Sequence, residues 1–161
     1  MKVCSSTEMQ NVSAKAASVP RRRAQHEFHE SHRDPIQRFL NAVEPRSYIR
    51  PHRHAENRWE WFQALAGAAA ILIFDENGTV LERVEISPAG PVFGAEISPG
   101  VWHTVVSLAR GTVLFEIKPG PYVPLTDKDF APWAPPEGSQ ACRRFVRWFS
   151  GAAPGDEPPQ P

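Results

Sequence analysis

The sequence predicts a mainly β protein: one domain built as an antiparallel sandwich or barrel, with a short helix at either end. Three observations carry this. Seven short extended runs, at 47–54, 59–65, 69–74, 80–86, 92–97, 102–107 and 113–117, follow one another at near-regular spacing between turn residues. Asp75-Glu76-Asn77-Gly78 joins two of them as a hairpin with Asn-Gly at its end. A chain of 161 residues and 18.0 kDa has room for one hydrophobic core and is too short for two.

In chain order, residues 1–24 carry Ser, Gln, Lys and Ala with little apolar periodicity, which predicts a disordered leader. The domain proper is expected over 25–150. Asp34-Pro35 reads as an N-cap with proline at the first helical position. Ile36, Phe39, Leu40 and Val43 then recur at helical spacing, which predicts a short helix that Pro45 ends. After the seven strands, ten of the 17 prolines lie from Pro119 onward, so 119–138 is expected as coil anchored by aromatic side chains. A last amphipathic helix is predicted over 139–150, with Cys142, Phe145, Val146 and Phe149 on one face and Gly151 just past its end. Cys142 is expected as a core residue. Residues 151–161 hold four prolines and no large apolar side chain, and read as a disordered tail.

Composition narrows the partners. Lys+Arg and Asp+Glu are both 18, so no long-range field draws in phosphate backbones or anionic lipid, and neither nucleic acid nor membrane is expected as a partner. The longest apolar stretch, 68–74, is far shorter than the roughly 20 residues of a membrane helix. Cys4 and Cys142 are too few for a disulfide framework, and the first ten residues lack a secretory apolar core, so cytoplasm is the expected compartment. Arg21-Arg22-Arg23 reads as a solvated charge run.

Chemistry concentrates in the histidines. Residues two apart on a strand point to the same face, so His52 and His54 can present two imidazoles to one point inside a barrel. His103 opens another strand, and Glu60 can add an oxygen donor, a set suited to Zn, Fe, Ni, Cu or Mn. Around them, Arg50, Arg58, Glu116, Lys118 and Tyr122 flank the predicted strands. Arg50 and Lys118 either hold an anionic substrate or line an exposed face. Glu96 is either a general base beside a metal or a solvated strand edge. Trp59 and Trp102 either fill the core or stack on a sugar ring. His26, His29 and His32 read as loop histidines, and His29 is alternatively one that approaches the metal.

The run His52-x-His54, Glu60, Gly67 and later Gly100-x-x-His103 resembles the two motifs of the cupin superfamily. Arg46 stands where the first motif opens with glycine. Pro51-His-Arg-His54, Trp59-Glu60, Trp102-His-Thr104, Phe115-Glu-Ile-Lys-Pro-Gly-Pro-Tyr122 and Phe130-Ala-Pro-Trp-Ala-Pro-Pro-Glu-Gly138 look like the WbuC family of cupin-fold metalloproteins, over most of 28–149. That resemblance implies a small cupin-type jelly-roll barrel. It also implies one divalent transition metal (Fe, Mn, Ni or Zn) held by His52, His54, Glu60 and His103; Glu96, seven residues before His103, is the candidate catalytic base on its position in the sequence. The small-molecule substrate would be a sugar, sugar nucleotide or carboxylate, in a bacterial setting of surface-polysaccharide or O-antigen metabolism. A non-haem iron oxygenase and a non-catalytic metal-loaded binding or sensor module are the alternatives. Cupins often form homodimers, and 119–138 either packs on a second copy or closes one end of its own barrel.

Overall fold

The computed structural model of the protein describes residues 1–55, 57–123 and 128–160; residues 124–127 of the Pro-rich segment and Pro161 of the tail lie outside these. Helix α1 (Ser6–Ser18) precedes ten strands, β1 (Arg23–Glu27), β2 (Ile36–Val43), β3 (His52–Arg53), β4 (Glu60–Ala66), β5 (Ala69–Phe74), β6 (Val80–Ile86), β7 (Gly94–Ile97), β8 (Trp102–Ser107), β9 (Thr112–Pro119) and β10 (Asp129–Phe130). Helix α2 (Cys142–Gly151) follows. The strands form two five-stranded antiparallel sheets, ordered β1-β2-β9-β4-β7 and β10-β3-β8-β5-β6. This is the mainly β jelly-roll class expected, although the sheets face each other without closing into a barrel.

Strand periodicity sorts side chains into layers. Phe62, Ala64 and Leu114 of the first sheet meet Ile71, Ile86 and Val105 of the second, and fill the space between them. The alternate positions of β5 and β8, among them Leu72, Phe74, Trp102 and Val106, point the other way and are covered by Phe145, Val146 and Phe149 of α2. Covered on both sides, β8 is buried at all six positions. On the far side, Val12 and Ala16 of α1 pack on Leu40, Ala42 and Val113.

Three expectations need correction. Residues 1–24 are not a disordered leader: Ser5 caps α1 in a reciprocal capping box with Glu8, and β1 extends the first sheet. Docking of α1 on the sheet compensates for its weak apolar pattern. Residues 36–43 form a strand and not a helix, paired with β9 from Ile36↔Pro119 to Val43↔Thr112. A strand buried on both faces loses period-two alternation, and here its apolar residues fall by coincidence at helical spacing. The tail is tied down as well, since Val80 N–H donates to Asp156 (3.0 Å) and Gly155 N–H to Val80 (2.8 Å).

Other expectations hold. The β5–β6 hairpin turns on Asp75, whose Oδ1 accepts from the Asn77 and Thr79 amides at 2.8 Å each. Gly67, between β4 and β5, has φ +68°, and a Cβ there would lie 2.5 Å from Thr112 Oγ1. Helix α2 buries the four residues expected, Cys142 included. Of the charge run, Arg21 stays exposed as expected, and it and the largely buried Arg23 both donate to the Glu137 carboxylate at 2.9 Å; Arg23 also donates to the Tyr48 carbonyl at 2.8 Å.

Candidate metal centre

Antiparallel pairing creates the site. His52 on β3 is the direct cross-strand partner of His103 on β8, and their ring centroids are 4.4 Å apart. His54, two residues on from His52, turns to the same side, with its ring 5.8 Å from that of His103. Gly100 N–H donates to the His54 carbonyl at 3.0 Å, which fastens the end of β3 to the turn that opens β8. Glu60 begins β4 in the opposite sheet and reaches across. Its Oε1 lies 2.9 Å from His54 Nε2 and 3.1 Å from Lys118 Nζ, and its Oε2 lies 3.1 Å from His103 Nε2.

All four residues are at most 4% exposed, and one donor atom from each lies within 4.8 Å of all the others. The tautomers are set by the backbone. His52 Nδ1 faces the Arg50 carbonyl and His103 Nδ1 the Val101 carbonyl, both at 2.9 Å. Donation there leaves each Nε2 with a lone pair directed at the group, the arrangement that metal-bound histidines adopt. His52 Nε2 is buried with no hydrogen-bond partner, an uncompensated polar atom that a metal ion would satisfy. Three imidazoles and a carboxylate can hold a divalent metal, so the residues fit the expected ion.

The local electrostatics favour an ionised Glu60 carboxylate beside a neutral His52 imidazole. Burial opposes ionisation of Glu60, but the Lys118 ammonium first, and then the close contacts with His103 and His54, outweigh it and hold the carboxyl well below its usual range. Burial, reinforced by Lys128 and His103, holds His52 well below the usual histidine value. Glu116 goes the other way: burial and the Glu60 charge raise it to about 7, against the opposing pull of Lys118.

Sequence comparison gives the family. The model described as "Domain of unknown function (DUF6016)" matches residues 4–86, just over half of the chain. The chain belongs to this family. No curated protein matches its sequence. Among solved structures, a tryptophan-to-phenylalanine variant of oxalate decarboxylase from Bacillus subtilis is similar at 15% identity and a TM-score of 0.50. The match covers 67% of this chain and 27% of the decarboxylase, so the DUF6016 chain spans about a quarter of that protein. A Shewanella oneidensis protein is similar at 12% identity and a TM-score of 0.52, over 66% of this chain and 72% of that one. A cupin superfamily protein from Desulfitobacterium hafniense is 13% identical with a TM-score of 0.47, over 60% and 76% of the two chains. The first two of these likenesses concern the fold.

The DUF6016 chain opens a cavity of about 680 Å³ onto the group, lined by His52, Glu60, Arg50, Glu116, Lys118 and Tyr122 among others. Glu96 is not there. On β7 it pairs with Trp61 while Ile97 pairs with Glu60, so it lies on the opposite face of the sheet and is exposed. The buried carboxyl beside the group is instead Glu116, whose Oε2 accepts from Asn41 Nδ2 at 2.8 Å. Neither Trp59 nor Trp102 lines the cavity. Trp102 packs toward α2 and donates to Glu76 at 3.0 Å, while Phe39, Phe62, Tyr122 and Phe130 supply the aromatic wall. Gln37, Phe39 and Asn41 escaped the sequence reading because a helix was expected where β2 runs. His29, which the sequence offers either as a loop histidine or as one that approaches the metal, is buried and lines the cavity with His32.

Proposed function

We propose that this chain is a cupin-fold metalloenzyme that acts on a small anionic molecule, with one divalent transition ion held by His52, His54, Glu60 and His103. The observation that carries the reading is the buried, unpartnered His52 Nε2 within that four-residue group, facing a cavity with its own cationic lining. When bound, such an ion polarises a substrate oxygen as a Lewis acid. The remaining steps belong to the chain. Arg50 stacks over Phe130 at 5.3 Å and donates through Nη2 to the Ala131 carbonyl at 3.0 Å, while its Nε is buried without a partner. That N–H is directed to a carboxylate or phosphate oxygen, a pairing that low dielectric strengthens. Phe39 and Phe62 keep water from the reacting end, and Glu116, raised to about 7, is poised to take up or release a proton beside Lys118, 3.7 Å away.

The motif likeness to WbuC-type proteins supports sugar acids and sugar nucleotides of surface-polysaccharide metabolism as the substrates to try first. The test is incubation of metal-reconstituted protein with a panel of sugar acids, hydroxy acids and sugar nucleotides, with products followed by mass spectrometry. Turnover that is lost in His103→Ala and raised in KM by Arg50→Met is expected. Saturable binding without product would replace the enzyme with a binding module.

A further inference from the structure

A second cluster lines the wall of the same cavity. Glu27 ends β1, and His29 and His32 lie in the connection to β2; one donor atom from each lies within 4.8 Å of the others. We propose that Glu27, His29 and His32 form a second metal site, which takes one divalent ion of the zinc class.

The distances point to an ion shared among three ligands. Glu27 Oε2 is 3.5 Å from His29 Nε2, and Glu27 Oε1 is 3.7 Å from His32 Nε2. Both are longer than the roughly 2.7–3.2 Å that an N–H···O bond prefers. A tetrahedral zinc with bonds of about 2.0–2.1 Å sets its donors about 3.3–3.4 Å apart, so the two imidazole–carboxylate distances, each to a different Glu27 oxygen, need only a small side-chain adjustment to close on one ion. His29 supplies the independent sign of a ligand: its side chain is 3% exposed, and Nε2 is buried with no hydrogen-bond partner. Its Nδ1 lies 3.1 Å from the Arg38 carbonyl, and donation there leaves the Nε2 lone pair facing Glu27. This repeats the backbone orientation of His52 and His103.

The cluster is held in place before any ion arrives. Gln37, buried at the start of β2, donates through Nε2 to the carbonyls of Asp34 (3.0 Å), Ser31 (3.3 Å) and His32 (3.4 Å). The His32 carbonyl also accepts from Tyr122 N–H at 2.7 Å, and the two rings meet edge-on at 5.1 Å. Two imidazoles and one carboxylate leave coordination positions open, as in catalytic zinc sites. The alternative arrangement has Arg38 N–H, 3.2 Å away, donating to His29 Nδ1, which places the proton on Nε2 and makes it a donor.

Zinc stoichiometry separates these arrangements and keeps the two sites distinguishable. Full-length protein is dialysed to equilibrium against micromolar Zn(II), and bound metal is measured by elemental analysis beside a circular dichroism check of the fold. Wild type is expected to bind two equivalents, with one lost in His32→Ala and one in Glu27→Gln. His32 and Glu27 have half-exposed side chains, so neither change threatens folding. The double variant His52→Ala/His103→Ala is expected to lose a different equivalent, and its combination with His32→Ala to lose both. If His32→Ala and Glu27→Gln bind as much zinc as wild type, the second site is overturned, while loss in the double variant would still uphold the first. If only the double variant keeps its full complement, the first site falls and this one stands.

Discussion

Lys118 shows how the site is balanced at the level of single residues. Its ammonium lies 3.1 Å from Glu60 and 3.7 Å from Glu116, so it is the cation between two buried carboxyls. Replacement by methionine keeps the volume and removes the charge. Removing one partner of a buried charge pair costs about 3 kcal/mol or more. In metal-free protein, Lys118→Met should lower stability by about that much in urea unfolding, and an unchanged midpoint would refute this role. Arg46 makes a second residue-level point. It stands where the resembling motif has glycine, yet it keeps a left-handed conformation at φ 75° and is exposed. Left-handed backbone costs an ordinary residue about 1–2 kcal/mol, and a β-branched one more. Arg46→Gly should therefore lose no stability, whereas Arg46→Val should lose about 2 kcal/mol. Equal midpoints for the two variants would contradict this.

Among the elements, β1 depends on an ion pair distant in sequence. Arg21 and Arg23 both grip Glu137, which lies just before α2. Partial burial pushes the Glu137 carboxyl up, but the hydrogen bonds and charges of the two arginines outweigh it and hold it below its usual value. A carboxylate that ionises more readily when folded stabilises the fold above its unfolded range, about pH 4.3, and loses that effect as pH falls through the folded value. Glu137→Gln should therefore melt below wild type at pH 7, with the gap closing below about pH 4. A gap that stays constant with pH would show that the pair contributes nothing. The same elements show where sequence was legible. β5, β6 and β8 have the bounds their apolar runs foretold, and the Asn-Gly hairpin lies between the first two. β2 was misread because α1 covers one face and the cavity the other, which erases alternation. β1 and α1 were missed because their order comes from docking on the sheet and from Glu137, and neither contact leaves a local pattern.

Across the whole molecule, two sheets and two outer helices build a frame whose interior is apolar along most of its length and polar where β3, β4, β8 and β9 meet. The helices let both faces of central strands be buried, so inward positions of β9 and β2 can carry Glu116, Lys118 and Asn41 without exposing the core. No described helix is long and apolar enough to cross a membrane. His52 and His54 were legible from spacing because strand periodicity is local, whereas Glu60 and His103, on other strands, were legible only through the resemblance to the cupin motifs. Glu96 was misplaced because the face of a short edge strand depends on its register with β4, which pairs Glu60 with Ile97 and so turns Glu96 outward. The central claim is that the inward group binds a metal, and elemental analysis of untagged protein purified without chelators, beside His52→Ala, His54→Ala and His103→Ala, tests it most directly. The account predicts an equivalent of a divalent transition metal in wild type that each variant loses. Metal content unchanged in all three variants, or no uptake by wild type on reconstitution, would contradict it.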